Sequence, residues 1–388
     1  MKRRKVKAGI VGCGVISDIY IQNMQSRFSI LEVVACSSKR MDSAYAKAEK
    51  YGIKAMETEE LLTDPEIDLV VNLTPPGAHY DIIKRALMKG KHVYTEKIFT
   101  VGLGRAKELM QLADEKGLYL GVAPDTFLGS SMQNARQIIE SGLIGTVTSV
   151  VAVLNRDFKS FTEELPFLSG EGAGIGFDVG IYYMTAMLSI LGSVKSCCGM
   201  MKETVTSRTH YLPQNQNFGQ EYEVKNEGIL AGTLLFANGV IGTVHFNGET
   251  VFPEKPILTI YGTEGIVYMA DPNEFGGEVR LLRKGQAEPV MIPSNFGYAD
   301  NSRGLGVAEM AWSMCTGRRP RANKEMAYHA LEVLYGIAES SRSGEMRHMN
   351  STFEKLPPLP QGYLNGNYPI PGCQSGEEAA LTICGSSM

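Results

Sequence analysis

No stretch of the chain reaches 18 uninterrupted apolar residues, so no membrane-spanning helix is expected. There is no surplus of basic charge. Thirty-eight Lys and Arg stand against 42 Asp and Glu, net −4, which excludes a broad cationic surface for nucleic acid. The seven cysteines (Cys13, Cys36, Cys197, Cys198, Cys315, Cys373, Cys384) are odd in number and scattered, with no C-x-x-C pair. That pattern argues against a disulfide framework and against a structural zinc site, and no metal is expected. No internal repeat is present. What remains is 388 residues, 44% apolar and 21% charged, enough for two globular domains and a sizeable core.

The amino end carries the strongest pattern. Lys2-Arg3-Arg4-Lys5 ahead of an apolar run imitates a secretory signal, but the run Ala8–Ile16 is broken by glycine and followed at once by Asp18. Cleavage there would remove the turn that follows, so the expectation is a cytoplasmic protein. Val6–Val11 reads as a buried strand, Gly12-Cys13-Gly14-Val15-Ile16-Ser17 as a tight corner, and the next residues as a helix. This is the arrangement that lets a backbone approach a pyrophosphate, with helix N–H groups aimed at its charge. Ser17 replaces the usual third Gly or Ala and is small enough for the same packing.

Cofactor choice turns on the second strand. Glu32 has the spacing expected of a ribose-binding acid, but it begins the strand, roughly 16 Å from the edge where ligands bind. At the correct edge stand Ser37, Ser38, Lys39 and Arg40. Hydroxyls and cations suit a 2′-phosphate, so NADP is expected ahead of NAD. The alternative is that Lys39 and Arg40 form a solvated turn.

Strand and helix patterns alternate to about residue 122, with helices at 15–27, 41–51, 78–89 and 102–116, the signature of a doubly wound parallel sheet. A helical pattern covers Phe127–Ser141. Beyond Thr146 strands follow one another at about 146–155, 194–202, 223–237, 240–247, 256–262, 265–269 and 277–283, which predicts a largely antiparallel sheet. Helices interrupt at Asp178–Leu191 and close the domain at 303–316 and 324–343. The expected division is 1–122, 123–355, and an extended Pro/Gly-rich tail, 356–388, that frays or drapes over the body.

Three further constellations bear chemistry. Lys91–Lys97 is a buried strand ending in Glu96-Lys97, on the sheet edge where nicotinamide would lie; Lys97 there can act as point charge and proton partner. Gly170–Phe177 is a glycine loop expected to bring backbone close to a ligand, feeding a helix that starts near Asp178. Asp178 and Tyr182, four apart, share a helix face, and Gly180 between them is expected to leave open space. Beside the Lys97 ammonium the Tyr182 phenol is expected to acidify and serve as proton relay. Two plainer readings stand beside these: Asp178 as a helix cap, and Tyr182 as a packed aromatic next to Tyr183. Finally, Thr74-Pro75-Pro76-Gly77-Ala78-His79 makes a turn placed to face the cofactor ribose, with His79 in a structural role.

Together these residues resemble the Gfo/Idh/MocA oxidoreductases. The glycine turn matches Gly12–Ile16, the Thr-Pro-Pro/Asn…His segment matches Thr74–His79, the Glu-Lys-Pro motif matches Glu96-Lys97-Ile98, and the Asp-x-Gly-x-His/Tyr segment matches Asp178–Tyr182. The resemblance implies a Rossmann domain followed by an α/β domain on a large, mostly antiparallel open sheet, which serves for substrate binding and oligomerisation. It implies hydride transfer between NAD(P) and a hydroxyl carbon of a sugar, sugar acid or cyclitol, with homodimers or homotetramers formed through the open sheet. It assigns the proton to Lys97 and Tyr182 and substrate binding to Lys97, Asp178 and Tyr182. Cofactor contacts fall to Gly12, Cys13, Gly14, Val15, Ile16, Ser37, Ser38, Lys39, Arg40, Thr74, Pro75, His79, Glu96 and Lys97. Two departures stand out. Ile98 replaces the family proline, which puts the turn that aims Lys97 in doubt, and Tyr182 stands where many members have His. Asp125, after the sixth strand, is the expected extra contact to a substrate hydroxyl. The rival functions are an NAD-dependent glycoside hydrolase of the same fold and a non-catalytic sugar or cofactor sensor.

Overall fold

Short apolar runs alternating with amphipathic segments build the first half of the molecule. A computed structural model describes residues 4–251, 257–360 and 363. The elements are β1 (Val6–Val11), α1 (Ile16–Ser26), β2 (Leu31–Ser37), α2 (Met41–Tyr51), β3 (Lys54–Ala55), α3 (Thr58–Thr63), β4 (Leu69–Asn72), α4 (Pro76–Met88), β5 (His92–Thr95), α5 (Leu103–Glu115) and β6 (Leu120–Val122). Their strands form a six-stranded parallel sheet in the order β3-β2-β1-β4-β5-β6. Helices cover both faces of such a sheet, so its strands run nearly all apolar; β4 and β6 are buried at every residue. Helix α1 buries Ser17, Tyr20, Ile21 and Met24, the stripe that a 3.6-residue period lays against the sheet. The short pair β3 and α3 was not expected; two strand residues and six helical ones are too few to show a period.

The second half begins with α6 (Ser130–Glu140), β7 (Val147–Asn155), α7 (Phe158–Glu164) and α8 (Ile181–Leu191). It continues with β8 (Val194–Lys202), β9 (Ser207–Thr209), β10 (Glu221–Glu223), β11 (Ile229–Phe236), β12 (Ile241–Asn247), β13 (Ile257–Gly262), β14 (Gly265–Met269), β15 (Arg280–Arg283) and β16 (Val290–Met291). Helices α9 (Leu305–Thr316) and α10 (Lys324–Ser343) and the short β17 (Arg347–His348) close it. Nine strands form one sheet, β16-β15-β14-β13-β7-β12-β11-β8-β17, antiparallel throughout except where β12 runs parallel to β7. Strand β11 starts at Ile229, later than the expected 223. The residues before it turn away from the sheet, and Glu221–Glu223 pairs with β9 in a separate hairpin.

Helix α10 packs one face of this sheet: a Cβ at Gly232 would lie 3.1 Å from Ile337, and one at Gly199 would lie 3.0 Å from it. Both halves meet at β6, where Val122 donates to the Ala322 carbonyl at 3.1 Å. The first residues of the expected tail drape over the body. Arg136 donates to the Leu356 carbonyl at 2.6 Å, Arg321 to those of Pro357 and Pro358 at 2.7 and 3.0 Å, and the Leu359 amide to Gln133 at 2.7 Å. The rest of that tail, with Cys373 and Cys384, lies outside the described residues apart from Tyr363. No described helix is long and apolar enough to cross a membrane.

Candidate active site

The glycine corner joins β1 to α1. Gly12 has φ +107°, and a Cβ there would lie 2.7 Å from the Leu73 backbone, so this glycine lets the corner pass close to the end of β4. Gly14 differs. A Cβ on it would meet no protein atom within 4 Å, and the neighbouring Val15 is 84% exposed. Helix α1 also starts without a side-chain cap. Open glycine backbone at an uncapped helix start fits the pyrophosphate of a dinucleotide. Ser17 is fully buried and donates to the Gly14 carbonyl at 2.6 Å, tightening the corner. Cys13 is buried with its thiol on the Ser37 carbonyl at 3.4 Å.

At the end of β2, Lys39 and Arg40 are exposed and Ser38 is half-buried. Ser37 corrects the expectation: it is fully buried and its hydroxyl lies 2.7 Å from that of Thr58. Strand alternation turns it inward toward α3. Glu32 pairs with Lys7 near the opposite end of the strand. On the neighbouring turn Thr74 donates its hydroxyl to Asn72 at 2.7 Å, and Pro75 is exposed. His79, buried, bridges two loops with Nε2 2.7 Å from the Thr74 carbonyl and Nδ1 2.6 Å from that of Ile98. Burial pushes its pKa down, while the two carbonyls and the Glu96 carboxylate pull the other way.

Lys97 follows β5. The Lys97–Ile98 peptide is cis. Glu96 is buried; its Oε1 accepts from the Tyr20 hydroxyl at 2.7 Å and its Oε2 from the Lys97 amide at 2.9 Å. The Lys97 ammonium forms an ion pair with the Asp178 carboxylate, donates to the Asp178 carbonyl at 2.9 Å, and sits 5.6 Å from the centroid of the Tyr182 ring. Burial alone would lower the lysine's pKa. Asp178, Tyr182 and Glu96 outweigh it and hold the ammonium above its ordinary value.

Asp178 reaches Lys97 from a single π turn, Gly176–Gly180, that runs directly into α8. It is neither a helix start nor a cap, because the turn is already wound when it arrives. Tyr182 is 6% exposed, and its hydroxyl lies 3.5 Å from Nη2 of Arg303. The expected acidification of this phenol does not occur: burial raises its pKa, and Lys97 and Arg303 offset that only in part. Tyr183 turns the other way, its hydroxyl on Asp271 at 3.1 Å. The glycine corner, the Thr74–His79 turn and a paired lysine therefore stand along the carboxyl edge of one parallel sheet, with a carboxylate and a phenol brought in from the second half of the chain.

The chain belongs to the Gfo/Idh/MocA oxidoreductase family. Residues 6–123 match the family's oxidoreductase model with its NAD-binding Rossmann fold, and residues 132–268 match the GFO/IDH/MocA C-terminal domain. An uncharacterised oxidoreductase of Schizosaccharomyces pombe is 28% identical over 246 residues, 58% of this chain and 66% of its own length. A second from that organism is 30% identical over 200 residues and is matched over 52% of its length, so the chain spans only half to two thirds of these curated relatives. The scyllo-inositol 2-dehydrogenase (NADP(+)) of Bacillus subtilis is 23% identical over 355 residues, 88% of this chain and 96% of its own. Among solved structures, levoglucosan dehydrogenase in complex with NADH and levoglucosan superposes with a TM-score of 0.79 at 16% identity, covering 90% of this chain and all of the other. At that identity the likeness shows the fold.

Three expectations from the sequence are corrected by packing. The glycine loop packs on protein at Gly174 and Gly176: a Cβ at Gly174 would lie 2.1 Å from the Glu227 carboxylate, which also accepts the Gly176 amide at 2.9 Å. Gly180 does not leave open space, since a Cβ there would lie 2.5 Å from the Phe246 ring. Asp125 is not open to a substrate hydroxyl. It is 2% exposed, and its Oδ2 accepts from the Gly304 and Gly306 amides at 3.1 and 2.9 Å, anchoring the start of α9. Burial pushes its carboxyl up to about 6, against the pull of those amides and of Arg303.

Two residues the sequence reading missed belong to the site. Arg303 lies in a loop without a decodable pattern; its one signal is an arginine placed just before a helix. Glu227 carries no local signal at all.

Proposed function

We propose that this chain is an NADP-preferring dehydrogenase or reductase acting on a CH–OH group of a polyhydroxylated small molecule. The observation that carries the reading is the Lys97 ammonium, paired with Asp178 and set against the ring of Tyr182 at the carboxyl edge of a dinucleotide-binding sheet. The nicotinamide, when bound, supplies hydride exchange at its C4. The protein's own part is the proton and the pose. Lys97 stays charged and sets a positive field at the substrate oxygen. Tyr182 keeps its proton at neutral pH, ready to donate it to an oxygen that gains charge, with Lys97 and Arg303 steadying the phenolate left behind. Asp178, an acceptor beside the ammonium, orients a substrate hydroxyl.

Lys39 and Arg40, both exposed at the end of β2, supply the charge a 2′-phosphate requires and support NADP over NAD. The sheet face away from α10 exposes Met200, Leu235 and Ile241, 36–78% open, which supports association of two copies through it. Parallel fluorescence titrations with NADPH and NADH, followed by rates on a panel of sugars, sugar acids and cyclitols, test the reading. Lys97→Met is expected to abolish turnover while cofactor binding persists; full activity in that variant overturns the assignment.

A further inference from the structure

Arg303 closes the candidate site from the second domain, and four backbone contacts fix where it stands. Asn23 of α1 donates to the carbonyls of Asn301 and Arg303, each at 2.9 Å. Asp125 accepts from the Gly304 and Gly306 amides on the other side. An ion pair between Arg27 and Asp300 at 3.0 Å and a fully buried Ser302 complete the clamp. None of these contacts uses the guanidinium. Among the described residues its hydrogen-bond partners are Asn301 Oδ1 at 2.9 Å and the Tyr182 hydroxyl at 3.5 Å, and no carboxylate pairs with it.

The neighbouring acids are already engaged. Asp178 answers Lys97. Glu96 lies in the field of Arg303, but its two oxygens take the Tyr20 hydroxyl and the Lys97 amide. Tyr182 is thus flanked by two cations, one at its ring with a carboxylate partner and one at its hydroxyl without. A guanidinium has five N–H donors in a planar fork and no acceptor. A neutral hydroxyl satisfies one donor and leaves the charge unanswered in a part-buried site. A carboxylate or phosphate takes two donors at once and answers the charge.

We infer that Arg303 receives an anionic oxygen group of the substrate, so that the polyol this site acts on is a sugar acid or sugar phosphate rather than a neutral sugar. The inference rests on the dehydrogenase reading of the site. Because the backbone is clamped from two elements, binding does not have to order the loop, and the fork's preference for charge is not offset by that cost.

The test is a set of initial rates on matched pairs: glucose against gluconate and glucuronate, and glucose against glucose 6-phosphate. The full-length chain is used with the nicotinamide cofactor that it binds. At least one anionic member is expected to exceed its neutral partner ten-fold or more in kcat/KM, and the acid and phosphate arms show which anion is read. R303M is expected to collapse that ratio at least ten-fold, chiefly through KM, and R303K to retain part of it; thermal melts confirm that both variants fold. Equal or better rates on neutral members overturn the inference. So does an R303M that lowers kcat by the same factor on both members and shifts the pH profile, because Arg303 then serves Tyr182 alone. Absence of turnover on every pair leaves the dehydrogenase reading to the wider panel, and the anion site is then read independently of it, by calorimetry of the protein–cofactor complex with gluconate and with glucose 6-phosphate. A ten-fold loss of affinity in R303M supports the site; unchanged affinity, or no binding to either form, overturns it.

Discussion

Glu227 accepts the Gly176 amide at 2.9 Å, and this contact seats the π turn that delivers Asp178 to Lys97. The carboxyl comes from the loop leading into β11, on the far side of the glycine run. Gly174 has no side chain because that carboxyl occupies the place where one would go.

Burial raises the Glu227 pKa to about 7. Between the unfolded value of about 4.3 and that figure the folded state holds more protons than the unfolded one, so this group's contribution to stability falls as pH rises through the window. The loss is on the order of 3 kcal/mol by pH 8. Glu227→Gln keeps an acceptor for Gly176 without the ionisation. Its Tm, followed from pH 5 to pH 8, is expected to fall less than that of the wild type; parallel curves contradict this account.

Asp178 is the charge that keeps Lys97 protonated. In Asp178→Asn the lysine loses its carboxylate partner, and burial then acts with less opposition, so its pKa drops. kcat is expected to fall by roughly 10²–10⁴. The alkaline limb of the pH–rate profile should move to lower pH, and a limb that stays in place would separate that ionisation from Lys97.

A methyl group at Gly180 collides with the Phe246 ring, 2.5 Å from where the Cβ would sit. Gly180→Ala is expected to cost about 1–3 kcal/mol in denaturant melts. It also displaces the Asp178–Tyr182 segment, so the rate should drop further than the stability alone explains. The double change with Phe246→Leu should recover part of both.

Asp125 is an anchor, so its variants should sort by acceptor rather than by charge. Asp125→Asn retains an oxygen for the Gly304 and Gly306 amides and is expected to melt close to wild type. Asp125→Ala leaves those amides unpaired at the start of α9 and is expected to lose about 1–3 kcal/mol. If both melt alike, the two contacts carry no stability.

Lys39 and Arg40 are exposed at the end of β2, and their removal tests the cofactor choice. The double variant Lys39→Ala/Arg40→Ala is expected to weaken NADPH binding ten-fold or more and NADH binding by less than two-fold. Equal losses for the two cofactors would assign the pair to the solvated turn instead.

Much of the architecture was legible without coordinates because its determinants are local. The period of apolar residues placed α2 and α10 at their observed bounds, and the glycine corner stood where a strand ends and a helix begins. The short α3 and the late start of β11 were not legible: one is too brief to show a period, and the other is set by a loop that turns away to bring Glu227 under the glycine run. The sequence marks the glycine loop as an approach to a ligand and Gly180 as open space. Sequence shows that a side chain is missing there, but only packing shows what fills the space.

The sequence by itself determined which groups are available: a glycine corner after β1, cations at the end of β2, a lysine after β5, and an aspartate and a tyrosine one helical turn apart. Tertiary structure alone decided how those groups meet. Lys97 and Asp178 are 81 positions apart, and Tyr182 and Arg303 are 121 apart. Periodicity reports which way a residue faces on its own element, whereas partners across such distances are chosen by how two sheets and their helices pack. The sign of the Tyr182 shift followed from that packing. A neighbouring ammonium favours the phenolate, but the same close approach excludes water, and in this site the loss of water is the larger effect.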